Sequence, residues 1–315
     1  MTLHDACSPR RTEAELANLR EEVFRLKQEL HAVIVSHTYQ IAEVQDIADL
    51  VGDSLELARA CAELKSETIV FCGVDFMAET AAILNPEATV LLSAAAASCP
   101  MAAMIDEGIL NEWKAKYPQA AVVTYVNSTA AVKAGSDICC TSANAVAVVE
   151  SVPNDEILFI PDSNLGHYVS TKTQKSMILY PGYCSIHARL SAAEVIQARR
   201  QYPEARVLVH PECRAEVIEL ADAALSTSQM IRDAGERSAK TFVIGTEEGL
   251  LHQLRLKNPE KTFHLLSPTL ICVDMKKTRL ENVIDTMKRQ SNGITVPEEV
   301  ALKAKRALDR MLAVV

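Results

Sequence analysis

Three short apolar runs that each lead into polar residues decide the fold: VIVSHTY (33–39), VVTYVNS (122–128) and VLVHPEC (207–213). Their polar residues His37, Tyr125 and His210 are spaced 88 and 85 residues apart. Similarity that recurs at a nearly fixed period is the signature of repeated supersecondary units. The chain is therefore expected to contain three copies of one α/β unit.

Each repeat closes at a cysteine: Cys99 in SAAAASCP, Cys184 in YPGYCSIH and Cys272 in SPTLICVDM. These cysteines are 85 and 88 residues apart, so each repeat delivers one thiol at a similar place. A free cysteine more often packs as a small hydrophobic residue, and no C-x-x-C pair indicates zinc. On phase alone, a shared metal centre and simple packing are open alternatives for these three. Packing is expected for the others, which are Cys7, Cys61, Cys72, Cys139, Cys140 and Cys213.

Composition limits the class of protein. The chain has 315 residues, 49% of them hydrophobic, so two or three globular domains are expected. A formal charge of −9 argues against nucleic acid as the main partner. No run reaches the ~18 apolar residues of a membrane helix, and the N-terminus lacks the apolar core of a secretory signal. Nine cysteines without an export signal favour a cytoplasmic protein with reduced thiols and no membrane partner.

Strand-like and helical patterns alternate almost throughout, which is typical of parallel sheets covered by helices. We predict a leading helix over 13–31, two short helices that meet near Gly52, and helices over 276–315. The expected fold class is α/β. It comprises three similar three-layer αβα domains with parallel sheets, arranged around a pseudo-threefold axis with the active site at the domain junction.

Polar residues recur where the predicted strands end. In open parallel sheets, ligands bind beyond the carboxyl ends of the strands. If the three units face one another, these ends converge on one cavity. The residues at these ends are His37, Tyr39, Asp75, Cys99, Tyr125, Asn127, Thr141, Ser142, Asp162, Asn164, Cys184, His187, His210, Glu212, Thr227, Ser228, Thr246, Glu247 and Cys272.

Several long segments, in this order, resemble the quinolinate synthase family of bacterial NAD biosynthesis. The resemblance covers about residues 31–288 and is carried by HTYQIAEVQDIADLVGDSLELA, VDFMAETAAILNP, TYVNSTAAVKAGSDICCTSANAV, PDSNLGHYV, YPGYCSIH, HPEC, STSQMI, FVIGTEEGLLHQL and CVDMKKTRL. The resemblance implies three α/β domains, here 1–108 with 273–315, 109–190 and 191–272. It also implies one [4Fe–4S] cluster, held by Cys99, Cys184 and Cys272.

The resemblance further implies a reaction and a set of site residues. Iminoaspartate, supplied by a partner L-aspartate oxidase, is condensed with dihydroxyacetone phosphate to give quinolinate, phosphate and water. Tyr39, Glu212, His37 and His210 are the implied acid/base residues. The implied substrate-binding residues are His37, Ser54, Tyr125, Val126, Asn127, Ser142, His210, Pro211, Glu212 and Thr227.

The sequence also offers two other functions. Gly52-Asp53-Ser54-Leu55 spells the nucleophile motif of a GDSL-type serine hydrolase. That class also needs a late D-x-x-H, which the sequence lacks, and the motif is predicted to follow a helix and not a strand. The second alternative is a non-catalytic iron–sulfur redox sensor or carrier, since three thiolates would serve it equally. The many polar residues at strand ends favour a substrate cavity over a carrier.

Overall fold

The computed structural model describes residues 11–314, which form three four-stranded parallel sheets with one shared strand order. The orders are β2-β1-β3-β4, β6-β5-β7-β8 and β10-β9-β11-β12. The first sheet contains β1 (Ala32–His37), β2 (Leu50–Gly52), β3 (Thr68–Cys72) and β4 (Thr89–Leu92). The second contains β5 (Ala121–Tyr125), β6 (Ile138–Cys140), β7 (Glu156–Ile160) and β8 (Ser176–Leu179). The third contains β9 (Arg206–Val209), β10 (Ala223–Ala224), β11 (Thr241–Gly245) and β12 (Thr262–Leu265).

Helices connect the strands, as parallel pairing requires. They are α1 (Glu13–Glu29), α2 (Ala42–Gln45), α3 (Ser54–Glu63), α4 (Asp75–Leu84), α5 (Glu107–Lys116), α6 (Ala130–Ala134), α7 (Ala145–Ser151), α8 (Ser163–Ser170), α9 (Ala192–Gln201), α10 (Ala215–Ile218), α11 (Thr227–Glu236), α12 (Leu250–Lys257), α13 (Leu280–Arg289) and α14 (Glu298–Ala313). Short 3₁₀ turns span Ala102–Met104, His187–Arg189 and Met275–Lys277. The three α/β units of one topology confirm the predicted fold class.

The strand order places a crevice at the same point of every sheet. In each sheet the order in which strands are added reverses between the first and the third strand. At such a point the adjacent crossover connections lie on opposite faces of the sheet, which opens a ligand crevice at the carboxyl ends of the strands. The first strands β1, β5 and β9 are almost wholly buried, because helices cover both faces. Their apolar sequences therefore run without the alternation of a half-exposed strand.

An aspartate fixes the first pair of strands in every sheet. Its carboxylate accepts the backbone N–H of a first-strand residue at 2.7–2.8 Å, and its own N–H donates to the carbonyl of that residue. The pairs are Asp49 with Ile34, Asp137 with Val122, and Asp222 with Val207. These aspartates are 88 and 85 residues apart, which is the same period as the strand ends.

One sequence expectation about the first unit is wrong. The segment around Gly52 is the short strand β2, paired in parallel with β1, and not the junction of two helices. A three-residue strand is too short to show a period of two, so its apolar residues resemble a helical pattern. The GDSL motif consequently follows a strand, which removes that argument against a hydrolase; the missing D-x-x-H remains.

The C-terminal helices pack on two different units. Helix α13 packs against α1 and the first sheet, whereas α14 packs against α6 and β6 of the second unit. The predicted domain boundaries stay a prediction. They assign α14 to the first domain, although this helix packs on α6 and β6 of the second unit. Within residues 11–314, no helix is both long and apolar enough to cross a membrane. Of the cysteines expected to pack, Cys61, Cys72, Cys139, Cys140 and Cys213 are buried, and Cys7 lies outside the described residues.

Candidate active site

The three cysteine segments share one backbone geometry. Each cysteine follows the last strand of its sheet and precedes a 3₁₀ turn. The cysteine carbonyl accepts the N–H four residues later, which closes one turn of chain around the thiol. The bonds join Ala103 to Cys99 (3.2 Å), Ala188 to Cys184 (2.9 Å) and Lys276 to Cys272 (3.2 Å). The sequence period at the cysteines therefore reflects a real structural repeat.

All three cysteines border one cavity of about 220 Å³ at the carboxyl ends of the strands. Most of the predicted site residues border it as well. They are His37, Tyr39, Ser54, Tyr125, Asn127, Ser142, His210, Glu212 and Thr227. Val126 and Pro211 are buried but do not border the cavity. The structure thus brings residues from all three units together, as strand-end convergence predicts.

The thiols need a positive partner in order to ionise. Burial raises the pKa of Cys99 to about 12 and that of Cys272 to about 11. It also raises the pKa of Cys184 well above its usual value. A bound metal centre reverses this effect, because its charge stabilises thiolates. Three free thiols on one cavity are therefore a donor set that fits an iron–sulfur centre, for which thiolates are the usual ligands.

A buried carboxylate holds the backbone of two of these cysteines. The N–H of Cys184 donates to Asp162 Oδ2 at 3.1 Å, and the N–H of Cys272 donates to Glu247 Oε1 at 3.0 Å. In the first unit, burial raises the pKa of Asp75, and hydrogen bonds from Phe76 and Cys99 oppose that rise. Each acid follows the third strand of its own sheet, so the support repeats with the fold.

Glu212 lies between two histidine rings. Its Oε2 is 2.6 Å from His187 Nδ1 and 3.4 Å from His210 Nδ1, and the two rings stack with centroids 4.5 Å apart. Burial alone would raise the pKa of Glu212, but the charges and hydrogen bonds of His210 and His187 hold it well below the usual carboxylate range. Glu212 is therefore an ionised carboxylate, and a histidine that can donate a hydrogen bond contacts it.

A chain of hydrogen bonds connects Glu212 to Tyr39. The Tyr39 hydroxyl is 2.6 Å from Thr246 Oγ1, which lies 2.8 Å from His187 Nε2. The opposite nitrogen of His187 contacts Glu212, so the chain spans residues of all three units. Burial raises the pKa of Tyr39 well above its usual value, which keeps its hydroxyl proton in place.

The two strand-end histidines are oriented by their own backbone. The N–H of Tyr39 donates to His37 Nδ1 at 3.1 Å, and the N–H of Glu212 donates to His210 Nδ1 at 3.3 Å. In the neutral ring this leaves the proton on Nε2. His210 Nε2 lies 3.2 Å from Ser142 Oγ. Burial lowers the pKa of His37 to about 4 and also lowers that of His210. The His37 ring can thus donate one hydrogen bond to an anionic ligand without carrying charge, whereas at His210 the charge of Glu212 opposes the effect of burial.

The residues of the site with no role assigned from the sequence include Asp162, His187, Thr246, Glu247 and Lys276. The first four were recognised as strand-end polar residues, and that position was the available signal. Lys276 gave no signal, because its burial depends on a partner from another part of the chain. It is 4% exposed, and its Nζ lies 2.8 Å from Glu247 Oε1.

Comparison with known proteins identifies the family of this chain. The family model described as "Quinolinate synthetase A protein" matches residues 21–313. A protein of Methanoregula boonei named quinolinate synthase is 53% identical over 299 residues, which cover 95% of this chain and 99% of the relative. Proteins with that name from Dehalococcoides mccartyi strain 195 and Geobacter metallireducens are 51% and 50% identical, over 94% of this chain and 98% and 97% of theirs. The resemblance found in the sequence is thereby confirmed, and the chain belongs to the quinolinate synthetase A family of enzymes.

Proposed function

We propose that this enzyme condenses iminoaspartate with dihydroxyacetone phosphate to form quinolinate, phosphate and water. The observation that carries the proposal is the convergence of three thiols, Glu212 and Tyr39 on one cavity. The names of the relatives support the same product. The reaction forms a carbon–carbon and a carbon–nitrogen bond and eliminates phosphate and water. It therefore needs proton-transfer groups, and a metal centre that polarises an oxygen would assist the loss of water.

Cys99, Cys184 and Cys272 would hold a [4Fe–4S] cluster, one thiolate from each unit. Three protein ligands leave one iron open, and when bound it would act as a Lewis acid on a hydroxyl or carbonyl oxygen. Asp162 and Glu247 support the cysteine backbones by accepting their N–H groups.

Proton transfer is assigned to Glu212 and Tyr39, the two ends of the hydrogen-bonded chain. Glu212 would accept a proton from carbon or nitrogen, because its carboxylate is ionised and faces the cavity. Tyr39 would donate a proton to a leaving oxygen. His37 and His210 would hold substrate carboxylates through Nε2–H or carry protons.

The remaining polar residues would bind the carboxylate and phosphate oxygens of the substrates. Ser54 and Thr227 are the first residues of α3 and α11, where backbone N–H groups attract anions. Tyr125, Asn127 and Ser142 complete the wall from the second unit. Val126 and Pro211 would act only through the backbone of the loops that carry their neighbours.

We also propose the organisation around this reaction. The domains would comprise residues 1–108 with 273–315, 109–190 and 191–272. The unstable iminoaspartate would come from an L-aspartate oxidase, in a cytoplasmic setting that keeps the described thiols reduced.

The test compares cysteine and glutamate variants of protein purified without oxygen. Cys99→Ala, Cys184→Ala and Cys272→Ala should each lose the iron and sulfide of the wild type together with quinolinate formation. Glu212→Gln should keep the iron but lose turnover by about 10²-fold or more. Cys61→Ala, which alters a buried thiol away from the cavity, is the matched control. A wild-type protein with a full cluster, no quinolinate and no spectral response to dihydroxyacetone phosphate would instead be a sensor or carrier.

A further inference from the structure

We propose that Cys184, His187 and Glu212 form a binding site for a single divalent transition-metal ion of the zinc type, used when the chain carries no iron–sulfur cluster. The three offer one ligand atom each, and these atoms all lie within 4.8 Å of one another. The set joins a cysteine and a histidine of the second unit to a carboxylate of the third. Its mixture of sulfur, nitrogen and oxygen donors is one that zinc accepts.

The two distances from His187 Nδ1 require only a small adjustment, and the third ligand pair lies within 4.8 Å. Ligand atoms around a tetrahedral zinc ion stand about 3.3–3.8 Å apart, given bonds of about 2.0–2.3 Å. Cys184 Sγ is already 3.3 Å from His187 Nδ1. Glu212 Oε2 is 2.6 Å from the same nitrogen, a hydrogen-bond distance that has to widen by about 0.8 Å when the ion replaces the shared proton.

The surroundings prepare His187 as a ligand. Its Nε2 lies 2.8 Å from Thr246 Oγ1, and that hydroxyl lies 2.6 Å from the Tyr39 hydroxyl. A metal-binding histidine usually has its second nitrogen fixed in this way, which sets the ring orientation. His187 also begins the 3₁₀ turn three residues after Cys184, so the local fold presents both ligands on one side.

The second oxygen of Glu212 gives a further reason to expect a cation here. The residue is 3% exposed, and its buried Oε1 makes no hydrogen bond of normal geometry among the described residues, although the Tyr125 hydroxyl, whose pKa is raised by burial and by Glu212, lies close to this carboxylate. A buried carboxylate oxygen without a partner is unfavourable by about 1–3 kcal/mol or more. A cation that Glu212 binds through both carboxylate oxygens removes that cost, whereas the cysteine and histidine alone leave Oε1 unsatisfied.

The site has a regulatory consequence, and this consequence rests on the proposed function. An ion held by Cys184 excludes a cluster that needs the same thiolate. It also occupies Glu212, the proposed proton acceptor. Zinc-loaded protein should therefore resist cluster reconstitution and remain inactive until the ion is removed by a chelator.

The test is a titration of the reduced, cluster-free full chain with Zn²⁺, followed by calorimetry, and with Co²⁺, followed by its thiolate charge-transfer absorption. The expected stoichiometry is one ion per chain. Cys184→Ser, His187→Asn and Glu212→Gln should each weaken binding at least about tenfold and change the cobalt spectrum. Cys99→Ser and Cys272→Ser should leave both unchanged. Equal losses in the Cys99 and Cys272 variants would overturn the proposal in favour of a site built by three thiolates.

Thr246 provides a second, milder test. Thr246→Val removes the hydroxyl that orients His187 and should weaken zinc binding about 10–100-fold, while Thr246→Ser should restore it. Thermal melts of every variant identify any that fail to fold. Unchanged zinc affinity in folded Thr246→Val and His187→Asn would refute the site. Neither titration uses the substrates, so a failed zinc site and a failed quinolinate assay are separate results.

Discussion

The Cys184 and Cys272 segments have the same backbone frame but different electrostatics. In both, the cysteine N–H donates to a buried carboxylate that follows the third strand, Asp162 in one unit and Glu247 in the other. Both carboxylates are 0% exposed. Glu247 is paired with Lys276, whereas no ion pair is formed by Asp162 within residues 11–314. Burial accordingly raises the pKa of Asp162 well above its usual value.

The difference shows that the repeat preserves backbone geometry more strictly than charge. The residue four positions after the cysteine closes the turn in each unit, but it is alanine in two units and Lys276 in the third. The Lys276 Nζ also donates to the carbonyl of Tyr39 at 2.6 Å. Lys276, which stands where the other two units have alanine, thus gives the third unit both a compensating charge and a contact with the first unit.

The largest expected effect on stability comes from removing the ammonium group of Lys276 in the Cys272 segment. Lys276→Met leaves Glu247 buried without its ion-pair partner, and breaking such a pair typically lowers the free energy of unfolding by about 3–5 kcal/mol. Urea denaturation of the full chain measures this change. The neighbouring Lys277→Met is the matched control, since Lys277 is 42% exposed in its pair with Asp274, and it should cost about 1 kcal/mol or less.

A double variant tests whether an unpaired buried charge causes this loss of stability. Lys276→Met combined with Glu247→Gln removes both charges and should recover part of the lost stability, because no unpaired charge remains buried. If Lys276→Met alone costs no more than Lys277→Met, the buried pair is not what distinguishes the Cys272 segment from the Cys184 segment.

Most of the repeated backbone structure can be predicted from the sequence, because short local patterns of apolar and polar residues determine it. Apolar runs with a polar end predicted the three first strands and the cavity at their ends, and the period selected the three cysteines that border it. Strand β2 was missed, since three residues carry too little periodicity to distinguish a strand from a helix. The bridging aspartates Asp49, Asp137 and Asp222 have the same period, but their function shows only once the strands are paired.

The ion pair between Glu247 and Lys276 could not be predicted from the sequence. Glu247 and Lys276 are separated by 29 residues, and a lysine in a chain with 32 basic residues is normally on the surface. Only the packing of the first and third units places its ammonium group in a buried position. The same holds for Thr246, whose hydroxyl connects Tyr39 of one unit to His187 of another.

An intermediate effect is expected at His37, a buried polar side chain that is kept neutral instead of being paired with an opposite charge. Burial lowers its pKa from 6.5 to about 4, so between these values the unfolded chain binds a proton that the folded chain does not. Stability from the neutral ring is therefore lost as the pH falls below 6.5. Between pH 7 and 5 the advantage of the wild type over His37→Gln should shrink by about 2 kcal/mol.

Urea midpoints of both proteins at pH 7, 6 and 5 measure this difference. His167→Gln, at an exposed position on α8, controls for a general effect of losing a histidine. A constant difference between wild type and His37→Gln across this range would mean that His37 has an ordinary pKa in the folded protein.

The smallest effect is expected at Asp162, and it isolates what the ion pair adds to the Cys272 segment. The two oxygens of Asp162 accept the N–H groups of Leu165 and Cys184, and asparagine can replace only one of these acceptors. Asp162→Asn should therefore cost about 1–2 kcal/mol, the loss of one buried hydrogen bond. Glu247→Gln loses a backbone acceptor in the same way but also leaves Lys276 buried and unpaired. It should cost at least about 1 kcal/mol more in the same urea experiment. Equal costs for the two variants would mean that the carboxylates act only as backbone acceptors, and that the cation in the third unit contributes nothing of its own.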